Sequence, residues 1–220
     1  LRNNTIGIQN SAFGQAALLY NTTGSRNSAF GLYALYKNVV GVNNAAFGQG
    51  SLSNNLASNN TAFGYSALNA NTTGTSNVAV GLDSLANNTI ASNNTAVGFR
   101  SLFTNTTGAN NTAVGRDAMR LNTVGTNNTA VGYHSLRNNT IGYENIAIGN
   151  SSLRNNTTGK YNVAVGTVAL RQNTIGVNNT AVGQAALYTN TTGNNNSAFG
   201  YYSLQLNTIG INNTAIGISS

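Results

Sequence analysis

Four arginines that recur at intervals of seventeen residues are the side chains in this sequence best suited to binding chemistry. If the chain folds into coils of that length, the arginines stack in a column with neighbours about 5 Å apart. Stacked guanidinium groups repel one another unless anions offset them, so the column could bind sulfated, sialylated or phosphate-bearing polymers. The alternative is a solubilising ridge that points into water. The four residues are Arg120, Arg137, Arg154 and Arg171.

A second column carries aromatic rings that could stack on sugars, although packing between chains explains such rings equally well. Its members are Tyr65, Phe99, Tyr133 and Tyr201. Together with the arginines, these rings form the candidate contact site for polyanions or glycans.

Three residues of types found in catalytic sites also follow one another at intervals of seventeen residues, namely Asp117, His134 and Ser151. A catalytic triad needs a base in contact with the nucleophile, an oxyanion hole and a cleft that excludes water, which a straight outward column does not supply. Asp83 and Asp117 are discounted as an acid–base pair because nothing predicts a pocket around them. One histidine and no cysteine make a metal cluster implausible. We therefore expect no catalytic residues, no metal, no cofactor and no enzymatic activity.

The element that must position these side chains is a short repeat. The tripeptide Ala-(Phe/Val/Ile)-Gly occurs thirteen times, and we call its last residue the register glycine. Successive register glycines are 17 residues apart, except for a step of 16 between Gly48 and Gly64. With no spacer between copies, residues 1–220 are predicted to form a single continuous repeat array, as a segment of a longer fibre protein.

Composition excludes several classes of protein. Charged residues make up 6% of the 220 residues, against about 25% in an ordinary globular domain. No apolar run approaches the roughly 20 residues of a membrane-spanning helix. The formal net charge of +7 allows a weak attraction to polyanions but is too dilute to indicate specific nucleic-acid binding.

The repeat favours an all-β fold. Seventeen residues are too few for a helical hairpin, and Asn, Thr, Gly and Val disfavour helix. Short strands joined by Gly and Asn corners predict a parallel β-solenoid of about thirteen coils. Asparagines occupy two fixed corners, where we expect left-handed backbone and stacked side-chain amides that form structural ladders. These residues include Asn21, Asn71, Asn105, Asn139 and Asn173 in one column and Asn27, Asn77, Asn111, Asn145 and Asn179 in the other.

The alanine of the tripeptide does not vary, although it should face away from its Phe, Val or Ile neighbour in a strand. An outward column that holds only alanine indicates close approach by another chain. The alternative is that alanine points into a narrow core and the larger residues point outward. The predicted inter-chain packing residues are Ala79, Ala96, Ala113, Ala130 and Ala147.

The segments 77–81, 145–149 and 162–166 read Asn-(Val/Ile)-Ala-(Val/Ile)-Gly. They resemble the head repeats of YadA-like trimeric autotransporter adhesins, and related repeats of phage and giant-virus fibres. The resemblance implies a left-handed β-roll, three chains around one axis and an extracellular adhesive or spacer fibre without catalytic residues. The chain departs from the adhesin pattern in its longer unit and in the threonine that often replaces the first apolar residue.

The resulting functional hypothesis is a structural or adhesive segment of a fibre that is extracellular or on a cell or virion surface. Its expected partners are copies of itself, as a homotrimer, and host-surface glycans or other polyanions bound through many weak contacts. One alternative is a self-assembling extracellular filament. Another is an ice-binding solenoid, for which the sequence offers a threonine column but no second threonine column on the same face. That column includes Thr22, Thr72, Thr106, Thr157 and Thr191.

Overall fold

A computed structural model describes all 220 residues, and they form strands and turns without any α-helix. The chain divides into two compact units, Leu1–Asn110 and Asn111–Ser220. The structure contains no helix of the length and apolarity needed to cross a membrane. The first unit holds strands β1 (Ser11–Phe13), β2 (Ser28–Phe30), β3 (Ala45–Phe47), β4 (Thr61–Phe63), β5 (Val78–Val80) and β6 (Thr95–Val97). The second holds β7 (Thr112–Val114), β8 (Thr129–Val131), β9 (Ile146–Ile148), β10 (Val163–Val165), β11 (Thr180–Val182), β12 (Ser197–Phe199) and β13 (Thr214–Ile216).

Within each unit the strands pair in parallel and in sequence order. In the first unit, Ala29 of β2 lies opposite Ala46 of β3, and in the second, Ala130 of β8 lies opposite Ala147 of β9. Each strand is therefore one rung of a coil that returns about seventeen residues later. The prediction of an all-β, parallel β-solenoid is confirmed in both units.

The interior of each coil is narrow and is filled by small side chains and one leucine. The strand alanines from Ala29 to Ala198 are fully buried within the single chain, as are the leucines from Leu18 to Leu187 and the Met119 that replaces one of them. The prediction that the alanines face outward is wrong, because a residue buried inside its own chain cannot contact another chain. The correction applies to all five predicted packing residues, Ala79, Ala96, Ala113, Ala130 and Ala147, each with no exposed surface.

Left-handed backbone occurs in every coil, but not at the asparagine corners where we expected it. The positive φ angles lie two and four residues after the register glycine and five residues before it, as at His134, Leu136 and Asn127. Left-handed backbone at a leucine costs about 1–2 kcal/mol. Burying its side chain returns roughly 1.5–3 kcal/mol, so the column of buried leucines holds the turn in a conformation that the residue would otherwise avoid.

The short coil between Gly48 and Gly64 keeps this pattern. Asn55 Nδ2 still donates to Asn38 Oδ1 at 3.4 Å, and Asn71 Nδ2 donates to Asn55 Oδ1 at 2.7 Å. The missing residue falls between Asn55 and the next strand, so the coil absorbs the deletion in a turn without a change of register.

Candidate functional site

Two columns of buried asparagine amides fix each coil to the next. In the first column, Asn139 Nδ2 donates to Asn122 Oδ1 and to the Gly142 carbonyl, both at 2.8 Å. Its own Oδ1 accepts from Asn156 Nδ2 at 2.8 Å. The ten predicted ladder residues are at most 1% exposed. The predicted amide stacking is therefore present, and these side chains are committed to the fold.

The second amide column also ties the backbone into the ladder. Asn128 donates both its main-chain N–H, at 3.0 Å, and its Nδ2, at 3.2 Å, to Asn111 Oδ1. A third bond runs from Asn128 Nδ2 to the Gly142 carbonyl at 2.9 Å. Every donor of such an amide is used, which leaves the surface columns as the places where function can lie.

The outer face of the strands carries no charged residue. The last position of each strand is always Val, Ile or Phe, whereas the first position is Ser or Thr in nine of the thirteen strands and apolar in the other four. The residues on either side of each strand alanine point outward, and in β9 both Ile146 and Ile148 are 40% exposed. In the first unit, the rings of Phe30, Phe47 and Phe63 stack with centroids 4.7 and 4.6 Å apart. The predicted aromatic column is exposed beside this face, at Tyr65, Phe99, Tyr133 and Tyr201. Each unit thus presents a continuous apolar stripe.

The four arginines of the predicted contact site are half-buried against the turns, not splayed into water. Arg120 Nε lies 3.6 Å from Asp117 Oδ1, and Arg171 Nη1 donates to the Tyr188 hydroxyl at 2.7 Å. The Nε atoms of Arg137, Arg154 and Arg171 are buried without an acceptor. The column therefore carries polar groups that the chain itself leaves unsatisfied.

Asp117 and His134 come together, whereas Ser151 does not join them. His134 Nε2 lies 3.4 Å from Asp117 Oδ2, and its ring stacks on Tyr133 with centroids 3.7 Å apart. Ser151 Oγ donates to Asn150 Oδ1 at 2.8 Å, so the hydroxyl is used by its neighbour. Asp83, the other acid considered, is paired with Arg100 Nε at 3.4 Å.

His134 reports the electrostatic field of the arginine column. Its pKa is lowered from its usual 6.5, first by burial and then by the charges of Arg154 and Arg137, and Asp117 offsets this only in part. A lowered folded-state pKa means that the contribution of His134 to stability is present above pH 6.5 and is lost as the pH falls through the folded pKa. We expect an NMR titration of this sole histidine to give a pKa below 6.5 that rises in Arg154→Gln. An unchanged pKa in that variant, equal to the one in Arg26→Gln, would contradict the proximity of Arg154.

The threonine column considered for ice binding uses its hydroxyls internally. Thr72 Oγ1 donates to the Thr89 carbonyl at 2.9 Å, and Thr157 and Thr191 make the same bond to the next coil at 3.1 Å. These donors are engaged by protein carbonyls and are not a free array at the surface.

A tyrosine-lined cleft was missed by the sequence reasoning. It has a volume of about 600 Å³ and is lined in part by Tyr20, Tyr36, Val39 and Leu56. The pKa of Tyr36 is raised, first by its hydrogen bond with Tyr20. The signal that could have found this cleft is the loss of threonine at position 39 and in the short coil, where apolar side chains interrupt the polar column.

No protein-family model, curated protein or solved structure matches this chain. The likeness to trimeric adhesin repeats therefore rests on the sequence of the repeat units alone.

Proposed function

We propose that this chain is a structural segment of a fibre that is extracellular or on a cell or virion surface, and that three copies, each a left-handed β-solenoid, form a homotrimer. Its copies pack side by side through the outer face of the strands. Contacts with glycans or other polyanions are made by the surface that remains exposed, where many weak sites add up along the fibre. The carrying observation is the outer face of the strands, which has no charged residue and holds Val, Ile or Phe at the last position of every strand.

That face has the composition of an interface. At both outward positions of all thirteen strands, the residues are Ser, Thr, Ala, Val, Ile or Phe, without a charged residue. Soluble monomers rarely expose contiguous apolar patches larger than a few hundred Å². The interior of a coil is filled by alanine, serine, asparagine and one leucine or methionine, so the Val, Ile and Phe side chains that lie outside it can be buried only between chains.

A second copy of the same chain is the occupant that fits this face best. Every rung repeats at the spacing of the next, so two identical arrays can match side chains along their whole length. The face holds no charge that would require a complementary partner of another kind. The simplest partner for a periodic apolar stripe is therefore the identical stripe of another copy of the chain.

Solution mass tests the proposal. We expect light scattering to give about three times 22.7 kDa for the native chain. Ile148→Asp should weaken association at least about tenfold, because a carboxylate would be buried in an apolar interface without a partner. The matched control is Ile175→Asp, in which an isoleucine that is 51% exposed outside the strands is replaced.

Each outcome separates the alternatives. A monomeric native chain would contradict the proposal, and a larger polydisperse mass would favour end-to-end filaments instead. If Ile175→Asp dissociates the assembly and Ile148→Asp does not, the interface lies outside the outer strand face.

A further inference from the structure

We infer that Arg137, Arg154 and Arg171 bind a linear acidic polysaccharide that runs along the stacking direction, with one acidic group per coil. This inference rests on the proposed function only in one respect, which is that an extracellular or surface fibre would encounter such a polymer. The binding itself is a property of the second unit and can be measured independently of oligomeric state.

The backbone fixes the spacing of these three side chains. The residue after each arginine is bonded to the next coil: the N–H of Asn138 donates to the Arg154 carbonyl at 3.0 Å, and the N–H of Asn155 to the Arg171 carbonyl at 3.1 Å. The three arginines therefore stand on successive rungs, about 4.8 Å apart. Such a row is preorganised, so little freedom is lost when a polymer binds.

Most N–H donors of the three guanidinium groups have no acceptor in the chain. Each has five N–H donors, yet Arg137 uses one on Asn138 Oδ1 at 3.1 Å, and Arg171 uses one on the Tyr188 hydroxyl. The side chain of Arg154, in the centre, makes no hydrogen bond or ion pair, and its Nε is buried. Because the buried Nε atoms cannot be reached from outside, acidic groups along the row would bond to the terminal Nη groups of these half-buried side chains.

No carboxylate of the second unit neutralises the row. Asp117 is already within 3.6 Å of Arg116, Arg120 and His134. Glu144, the other acid in this unit, lies exposed five residues before a register glycine, in a different column. The positive charge of the three arginines is therefore available to a ligand.

The single-file arrangement selects the class of polymer. One row of cations matches one extended chain, whereas a nucleic-acid duplex needs a broad surface that contacts phosphates on both strands. A sugar residue in an extended polysaccharide advances by about the length of one rung, so successive acidic residues meet successive arginines. Tyr188 at one end places its ring centroid 5.8 Å from the Arg171 guanidinium, where it can pack against a sugar ring.

The test uses the full chain and heparin-derived oligosaccharides of defined length, measured by fluorescence anisotropy. We expect affinity to rise until the oligosaccharide spans three rungs, about 10 Å, and to change little with further length. Arg154→Gln should weaken binding about tenfold or more, since charge-assisted hydrogen bonds are lost. Replacing all three arginines by glutamine should lower the salt dependence by about one unit of slope per arginine.

The charge-matched control is Arg2→Gln, Arg26→Gln and Lys160→Gln, which removes three cations elsewhere. Circular dichroism and the thermal midpoint show whether each variant is folded. Equal losses in both triple variants would mean bulk attraction and would overturn the inference, as would native affinity in the folded Arg137/Arg154/Arg171 variant. Tighter binding of a single-stranded oligonucleotide than of the oligosaccharides would overturn the assigned class. A monomeric chain that still binds would overturn the fibre proposal and leave this inference standing.

Discussion

Gly48→Ala is expected to destabilise the protein by about 3 kcal/mol or more, one of the largest effects of a single methyl group in this chain. A Cβ at this position would lie 2.5 Å from the Gly64 carbonyl oxygen and 2.7 Å from its carbon, and both are backbone atoms of the next coil. The φ angle of +131° adds strain for any residue with a side chain. Because adjacent coils meet at the register glycines, relief requires the coils to separate. Urea unfolding followed by circular dichroism measures the loss.

Gly50→Ala is the matched control, two residues away in the same turn. The added Cβ would meet only Asn69 Nδ2 at 3.3 Å and Ser66 Oγ at 3.7 Å, at a φ of +69°. Other coils carry Ala16 or Ser66 at the equivalent position with positive φ. We expect the free energy of unfolding to change by no more than about 1 kcal/mol. The cost of left-handed backbone for alanine is partly offset because alanine has less conformational entropy than glycine in the unfolded chain. Equal effects of the two substitutions would show that close contact between coils at the register glycine is not what limits stability.

The solenoid itself could be predicted from the sequence because the register glycine and both asparagines recur without exception. A fixed glycine indicates close approach of backbone, and a fixed polar residue in an uncharged repeat indicates internal hydrogen bonding. The direction of Ala79 could not be derived in the same way. A three-residue strand places one residue inward and two outward, and a uniformly small column is consistent with either a narrow interior or a close neighbour.

The left-handed residues illustrate a second limit. Local propensity assigns this backbone to Asn or Gly, yet Leu136 adopts it with φ of 49°. Tertiary burial of the leucine outweighs the local preference, and the sequence pattern does not reveal that competition. The asparagines do occupy left-handed positions in places, such as Asn127, but these are exposed residues and not the ladder residues.

The candidate site, too, could be predicted only in part from the sequence. The arginine column follows from counting seventeen residues at a time. The unsatisfied donors of that column could not be predicted, because they depend on whether the Asp117 carboxylate reaches Arg120 or Arg154. In the structure it reaches Arg120. The tyrosine cleft depends on how a one-residue deletion is absorbed around Leu56, and repeat counting detects the deletion but not the space that it leaves.

Asn139→Ala is expected to cost about 3 kcal/mol, because truncation removes one hydrogen bond from each of three buried groups, at about 0.5–1.5 kcal/mol each. The groups are Asn122 Oδ1, the Gly142 carbonyl and Asn156 Nδ2. The adjacent Asn138→Ala is the control, since Asn138 is only partly buried and exchanges side-chain bonds with Arg137 and Asn155. It should change the free energy of unfolding by about 1 kcal/mol.

The shape of the transition distinguishes a ladder that couples coils from an isolated buried amide. Stability in a solenoid is a sum of repeat and nearest-neighbour terms, and Asn139 contributes to the interfaces on both of its sides. Weakening it should therefore decouple the flanking coils, so that urea unfolding of the variant broadens or splits while the Asn138→Ala transition stays as steep as that of the native protein. A uniform shift of the midpoint with unchanged steepness would mean that the amide stabilises its own turn alone, and that cooperativity along the stack is carried by the strands and the leucine column.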